Sequence, residues 1–127
     1  MKPNDTNDSR YRAAYLGCVL SADMSARPRP HVVAALVLDM QRAARSAVGY
    51  ETRRCSYPMT EAQELRGERR IRRLQDGINA RLAAVWPGEA SPTLSLGGDP
   101  RGHCATLTVP GQEGDGWAGG GGGFAVY

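Results

Sequence analysis

The sequence predicts an α+β protein: an N-terminal helical hairpin, one long amphipathic helix and a small three-stranded antiparallel sheet. Two observations lead to this prediction. Apolar residues recur at helical spacing in the first two thirds of the chain, and in the last third they alternate with polar residues at the period of a strand. The length of 127 residues suits one compact domain with a modest core.

The first half of the chain predicts a tail and two helices. The polar residues 1–9 predict a disordered tail, and residues 10–22 carry alanine, leucine and tyrosine at helical spacing, which predicts a short amphipathic helix. A second helix is expected from about Pro30, since proline suits the first helical position, to Val48. Gly49 is expected to end this helix, which completes the hairpin.

A long helix is predicted from Thr60 to about Trp86, after a linker over residues 50–59. Thr60 and Gln63 match a capping box, in which each side chain bonds the backbone N–H of the other residue. Leu65 lies off the main apolar face, so we expect the first turns to pack against the N-terminal hairpin. The main apolar stripe of this helix consists of Ile71, Leu74, Ile78, Leu82 and Val85.

Three short strands are predicted after the long helix. Leucines alternate with polar residues over residues 93–96, and apolar residues alternate with threonine and cysteine over residues 104–109. The last four residues, 124–127, predict a short third strand. The domain is thus divided into a hairpin with its linker, residues 10–59, and a helix with its sheet, residues 60–127. So small a sheet needs to pack on the long helix for stability.

Composition favours a cytoplasmic protein. The formal net charge is +3. Cys18, Cys55 and Cys104 lack the spacing of a zinc knuckle or a disulfide framework, which fits reduced thiols. No apolar run has the length of a membrane span, and the polar start lacks the apolar core of a signal peptide. We therefore expect a protein of the (host) cell cytoplasm that has no membrane contact, metal or cofactor.

The segment 97–103 is the first of two candidate ligand-binding loops. Its Asp-Pro-Arg-Gly run is typical of a turn, and a plain hairpin turn is one interpretation. The other interpretation is an anion site, because backbone amides of the turn lie beside Arg101, the only Lys or Arg among residues 87–127. The candidate ligand-binding residues here are Asp99, Arg101, Gly102 and His103.

The second candidate loop, residues 115–123, ends in a run of five glycines. Trp117 offers a flat face for stacking, and glycines allow close backbone approach to a ligand. The alternative is a flexible tail whose tryptophan packs in the core. Consecutive turns of a meander fall at opposite ends of a sheet, so the two loops meet only if this segment folds back. The candidate residues here are Asp115, Trp117, Gly119 and Gly120.

The two loops resemble a pair of motifs in a widespread family of small proteins from phages, prophages and plasmids. In that family a Gly/Ser-Asp-Pro-Arg-Gly turn is followed by an apolar strand, Asp-Trp-Gly-Gly-x-Gly and a short last strand. Residues 98–102 match the first motif, and residues 115–120 match the second loosely because Gly116 is inserted. The resemblance covers roughly residues 60–127. It implies a mobile-element protein, similar in gene context to anti-defence proteins, with a two-loop site and no established reaction.

We therefore expect a phage or prophage accessory protein that binds an anionic small ligand, such as a nucleotide or another phosphorylated compound, in the two loops. No constellation typical of catalysis occurs in the sequence, so an enzyme is the less favoured class and no catalytic residue is nominated. Whether the chain forms a homo-oligomer is left open.

The alternative function is an anti-CRISPR-like inhibitor that binds a protein or nucleic acid of a host defence complex. Its contact surface would be an arginine-rich face of the long helix. A merely solvated face is a further interpretation, and the absence of lysine and of interleaved aromatic residues argues against a nucleic-acid surface. The arginines of this face are Arg66, Arg69, Arg70 and Arg73.

Overall fold

The computed structural model describes residues 5–22, 28–97, 105–114 and 123–126, with the backbone alone for residues 5–8. It confirms the α+β prediction. Three helices are followed by a single 3-10 turn and by three antiparallel strands. Each helix packs on the next one along the chain, and the sheet lies against the third helix, as predicted.

The first helix, α1, spans Asp5–Ser21 and begins before its predicted start at residue 10. Residues 5–9, which the sequence predicts as part of a disordered tail, therefore belong to the helix. The sequence of this stretch contains two aspartates, and acidic residues are favourable in the first turns of a helix. Leu16 and Leu20 of α1 are buried in the core.

The second helix, α2, spans Pro30–Ser56 and confirms the predicted position of the proline. The prediction that Gly49 ends this helix is wrong, and the predicted linker is wrong for residues 50–56. Glycine costs about 1 kcal/mol inside a helix. Continuation of the helix buries the large ring of Tyr50, which is 5% exposed, and this gain outweighs the cost.

The third helix, α3, spans Glu61–Val85 and confirms the predicted long helix. Its capping box is present: the Thr60 hydroxyl accepts from the N–H of Gln63 at 3.2 Å, and the Gln63 side chain accepts from the N–H of Thr60 at 2.9 Å. The predicted stripe faces the core, with three residues buried and two half-buried: Ile71, Ile78 and Leu82, then Leu74 and Val85.

The strands form an antiparallel meander in the order β1 (Thr93–Leu96), β2 (Ala105–Thr108) and β3 (Gly123–Ala125). The predicted alternation is confirmed, because Leu94 and Leu107 pair across β1 and β2 and are both buried, whereas the polar neighbours of Leu94 are exposed. β3 overlaps the strand predicted at the end of the chain.

Side chains of α3 also bond the outer edge of β1. The Asn79 amide donates to the carbonyl of Leu94 at 3.0 Å and accepts from the Leu94 N–H at 2.7 Å. One turn earlier, the Gln75 side chain accepts from the N–H of Leu96 at 2.9 Å. Two amide side chains one helical turn apart thus match alternate residues of the strand, which fixes the position of β1 along α3.

Two groups of buried side chains hold these layers together. The main core lies between the helices and one face of the sheet, and Trp86, 1% exposed, is its largest member. Gln41 on α2 is buried, and its Nε2 donates to the carbonyls of Ser9 at 3.0 Å and Val126 at 3.4 Å. A smaller core joins α2 to α3 and consists of Ala47, Tyr50 and Ile71.

Candidate functional site

The predicted ligand-binding residues of the two loops lie outside the described residues. These are Asp99, Arg101, Gly102, His103, Asp115, Trp117, Gly119 and Gly120. The described strands locate the ends of both connections. The first connection runs from Leu96 of β1 to Ala105 of β2, and these two residues pair with each other. The second connection runs from β2 to β3, where Thr108 pairs with Gly123. The connections join β2 at its opposite ends, and the hypothesis that the loops meet stays a prediction.

Gly97 is the described residue of the first candidate loop. Its φ of 99° lies in the left-handed region, which glycine adopts without strain. It also borders a cavity of about 490 Å³ between α2 and α3. The charged residues that line this cavity are Glu51, Arg54, Glu68 and Arg72.

The charges in this cavity are of both signs and only partly paired. Arg54 Nη2 lies 2.9 Å from Glu51 Oε2, and the hydrogen bond to Glu51 raises the pKa of the Arg54 guanidinium. Glu68 and Arg72 stand four residues apart, yet neither forms an ion pair with any residue that the structure describes. The mixture of signs makes this cavity a weaker candidate anion site than the neighbouring arginine surface.

The predicted arginine face of α3 is exposed along its whole length. Its members, which we call the Arg face, are Arg66, Arg69, Arg70 and Arg73. None of the four forms an ion pair within the described part of the chain, whereas Arg42 and Arg81 share Asp39 at 3.7 Å and 2.7 Å. The Arg face is therefore a patch of one sign whose guanidinium groups form no ion pair with a carboxylate of the described residues.

An open groove of about 520 Å³ lies between the end of α2 and the first turns of α3. Arg53 of α2 and Arg66 and Arg70 of α3 line it, and so does Tyr57, which is 69% exposed. None of the described residues in its lining is acidic. We call this feature the Arg groove; it combines three cations with one accessible aromatic ring.

The close approach of α2 and α3 that forms the Arg groove depends on Tyr50 and Gly67. The Tyr50 hydroxyl donates to the carbonyl of Glu64 at 3.0 Å, and its ring lies where a side chain on Gly67 would be. Burial, with Glu68 and Glu64 nearby, raises the pKa of the Tyr50 phenol. The first turns of α3 pack against the hairpin as predicted, but through Gly67, while Leu65 is 46% exposed.

Sequence reasoning missed Arg53 and Tyr57, because the predicted linker separates them from the Arg face. A signal for them was present. The apolar spacing of α2 continues through Met40, Ala44, Ala47 and Tyr50 at intervals of four, three and three, without a break at Gly49. Conversely, Arg69 and Arg73 belong to the predicted Arg face but are not part of the groove lining.

Within the described ranges, no three His, Cys, Asp or Glu side chains come together as a metal site would need. In the same part of the chain, no helix combines the length and apolar character required to cross a bilayer. No family model, no curated protein and no solved structure matches this chain. The resemblance to small phage and plasmid proteins therefore stays a prediction.

Proposed function

We propose that this protein is a binding protein whose Arg face docks on an anionic surface of a macromolecular partner. The observation that carries the proposal is the exposure of Arg66, Arg69, Arg70 and Arg73 with no ion pair among the described residues. In this proposal it is an accessory protein of a phage or prophage that acts in the host cytoplasm and inhibits a defence complex.

The electrostatics of α3 support this role over a purely structural one. Arg66 and Arg70, like Arg69 and Arg73, stand four residues apart, where like charges destabilise a helix by about 0.2–0.5 kcal/mol per pair. The clustering of these cations therefore does not stabilise α3. An anionic partner would remove the repulsion and gain charge-assisted hydrogen bonds, since each guanidinium can bind a carboxylate or phosphate through two parallel bonds.

The test is capture of a partner from a host lysate on the immobilised full chain, with and without nuclease treatment. We expect the double variant Arg69→Gln/Arg73→Gln to lose most of the captured material. The matched control is Arg29→Gln/Arg45→Gln, which removes the same charge from exposed positions of the hairpin. Equal capture by the two double variants would contradict the proposal, and so would no capture by the native chain.

A second candidate function is binding of an anionic small ligand, such as a nucleotide, in the two glycine-rich loops. The observation that favours it is the left-handed Gly97 beside a cavity that also carries Arg54 and Arg72. Thermal-shift measurements with mono-, di- and cyclic nucleotides test it. We expect stabilisation that Arg101→Ala removes and Arg45→Ala leaves intact, and the absence of a shift with every nucleotide would rule the idea out.

A further inference from the structure

We infer that the Arg groove binds single-stranded nucleic acid, with Arg53, Arg66 and Arg70 on the phosphates and Tyr57 stacked on a base. The inference rests on the proposed function and deepens it, because it assigns a partner class to one part of the basic surface. It uses two residues, Arg53 and Tyr57, that lie outside the Arg face. The extension of α2 to Ser56 brings both of them to α3.

The cations of the groove are arranged for a phosphate backbone. Arg66 and Arg70 lie one helical turn apart, about 6 Å along the axis of α3, which is close to the separation of neighbouring phosphates in an extended strand. Arg53 faces them from α2. None of the described lining residues is acidic, so the charged side chains that line the groove all attract an entering phosphate.

The exposed ring favours a single strand over other polyanions. Tyr57 is 69% exposed, and Pro58 and Met59 continue the lining beside it as apolar surface. A splayed base can stack on such a ring, and each base–aromatic contact contributes to binding whatever the sequence. The bases of a duplex are already stacked on one another and are not free to stack on Tyr57. Acidic side chains of a peptide offer charge but no flat π face for this ring.

This arrangement answers one of the two objections that the sequence raises against nucleic acid, the absence of interleaved aromatic residues. The Arg face has no aromatic residue interleaved along the chain, but the fold supplies Tyr57, the residue that follows α2. The same fold keeps Tyr57 in place, because the chain leaves α2 in an extended conformation there and the Tyr57 N–H bonds the carbonyl of Arg53 at 2.9 Å.

Fluorescence anisotropy with the full chain and a labelled oligothymidylate of about twelve nucleotides tests the inference, a length within the usual site sizes. We expect saturable binding that weakens with salt. Neutralisation of three phosphates of a single strand predicts a slope of log K against log salt of about −2. A duplex of the same length and a poly-glutamate peptide are the competing probes.

The variants separate charge from stacking. Arg66→Gln/Arg70→Gln should weaken binding by about tenfold or more, and the salt slope should become shallower by about 0.7 for each phosphate that no longer meets an arginine. Tyr57→Ala should weaken binding by about tenfold with an unchanged slope, and Tyr57→Phe should restore it because the ring is kept. Arg29→Gln/Arg45→Gln, which removes two exposed charges outside the groove, should change affinity less than the groove pair.

Each contrary result overturns the inference. These results are no binding of oligothymidylate at low salt, tighter binding of the duplex or the peptide, or a Tyr57→Ala variant with native affinity. If the Arg69→Gln/Arg73→Gln variant still loses a lysate partner while oligothymidylate fails to bind, the proposed function stands and this inference falls. If capture is equal for both double variants while the single strand binds through Tyr57 and Arg66, the inference stands and the docking of a lysate partner on Arg69 and Arg73 falls.

Discussion

Residues 72–85 of α3 pack on the sheet and in the main core, whereas residues 61–71 pack on the end of α2. The first region buries Ile78, Leu82 and Trp86 next to it in the main core, and its amide side chains bond β1. The second region has a contact built chiefly on Tyr50 against Gly67. Buried apolar contacts are thus concentrated at one end of the helix, and three of the four arginines of the Arg face lie toward the other.

This difference indicates which surface is available for function. A side chain that holds the fold cannot be freely used for binding, and in the sheet-facing half of α3 this applies to Ile78 and Asn79. The half that faces α2 is stabilised by one aromatic ring and one glycine, which leaves its outer positions to Arg66, Arg69 and Arg70. The predictions below test this division, from the largest expected effect to the smallest.

Leu82→Ala should cause the largest loss of stability in the sheet-packed half. Leu82 is fully buried, and removal of such a side chain costs about 3 kcal/mol through reduced burial and the cavity left behind. Urea unfolding followed by circular dichroism measures it. Leu82→Met, which keeps the volume, should cost less than about 1.5 kcal/mol. If Leu82→Ala costs no more than Leu82→Met, the core assignment is wrong.

Asn79→Ala should cost about 2 kcal/mol, because it leaves both the N–H and the carbonyl of Leu94 without their side-chain partner. Gln75→Ala removes one hydrogen bond, to Leu96, and should cost about half as much. Amide hydrogen exchange at these two strand residues identifies the cause. Equal losses of stability in the two variants would contradict the assignment of two hydrogen bonds to Asn79 and one to Gln75.

Gly67→Ala and Gly77→Ala form a matched pair within α3. A methyl group on Gly67 would overlap the buried ring of Tyr50, whereas nothing lies within 4 Å of the corresponding position on Gly77. We expect Gly67→Ala to lose about 1 kcal/mol, since overpacking exceeds the gain in helix propensity. Gly77→Ala should gain about 1 kcal/mol. Stabilisation by both substitutions would break the assignment of Gly67 as the contact between α2 and α3.

Tyr50→Phe should have the smallest effect at neutral pH, a loss of about 0.5 kcal/mol for the hydrogen bond to the carbonyl of Glu64. Because burial raises the pKa of Tyr50, the folded chain keeps its phenol proton after the unfolded chain loses it. Stability from this effect is present below pH 10.0 and falls as pH rises above it. In unfolding experiments, the free energy of unfolding of Tyr50→Phe should therefore fall less steeply above pH 10.0 than that of the native chain. An identical fall in both proteins would contradict a raised pKa at Tyr50.

Periodic patterns made most of the fold predictable. The capping box of Thr60 and Gln63 and the single stripe of α3 set both ends of that helix closely, and alternation identified β1 and β2. The end of α2 was not predictable from Gly49 alone, because the tertiary contact of Tyr50 overrides a weak local preference. The partner of Asn79 was hidden for a related reason: a polar side chain on a helix does not reveal which backbone it bonds.

The candidate site was less predictable than the fold. The Arg face was identified because four arginines share one side of a single helix. The Arg groove was not identified, since Arg53 lies near the end of α2 and Tyr57 directly follows that helix. No local sequence pattern predicts that these two residues lie beside α3. The residues of the two predicted loops, Asp99 to His103 and Asp115 to Gly120, lie outside the described residues and stay a prediction.

The amide pairing between α3 and β1 has a consequence for how copies of this chain meet. An outer strand with free N–H and carbonyl groups is a template on which another chain can add a strand. Here Asn79 takes both groups of Leu94, and Gln75 takes the N–H of Leu96. An incoming strand would have to displace two helical side chains before forming its first bond, so the helix protects this side of the sheet from self-association and aggregation.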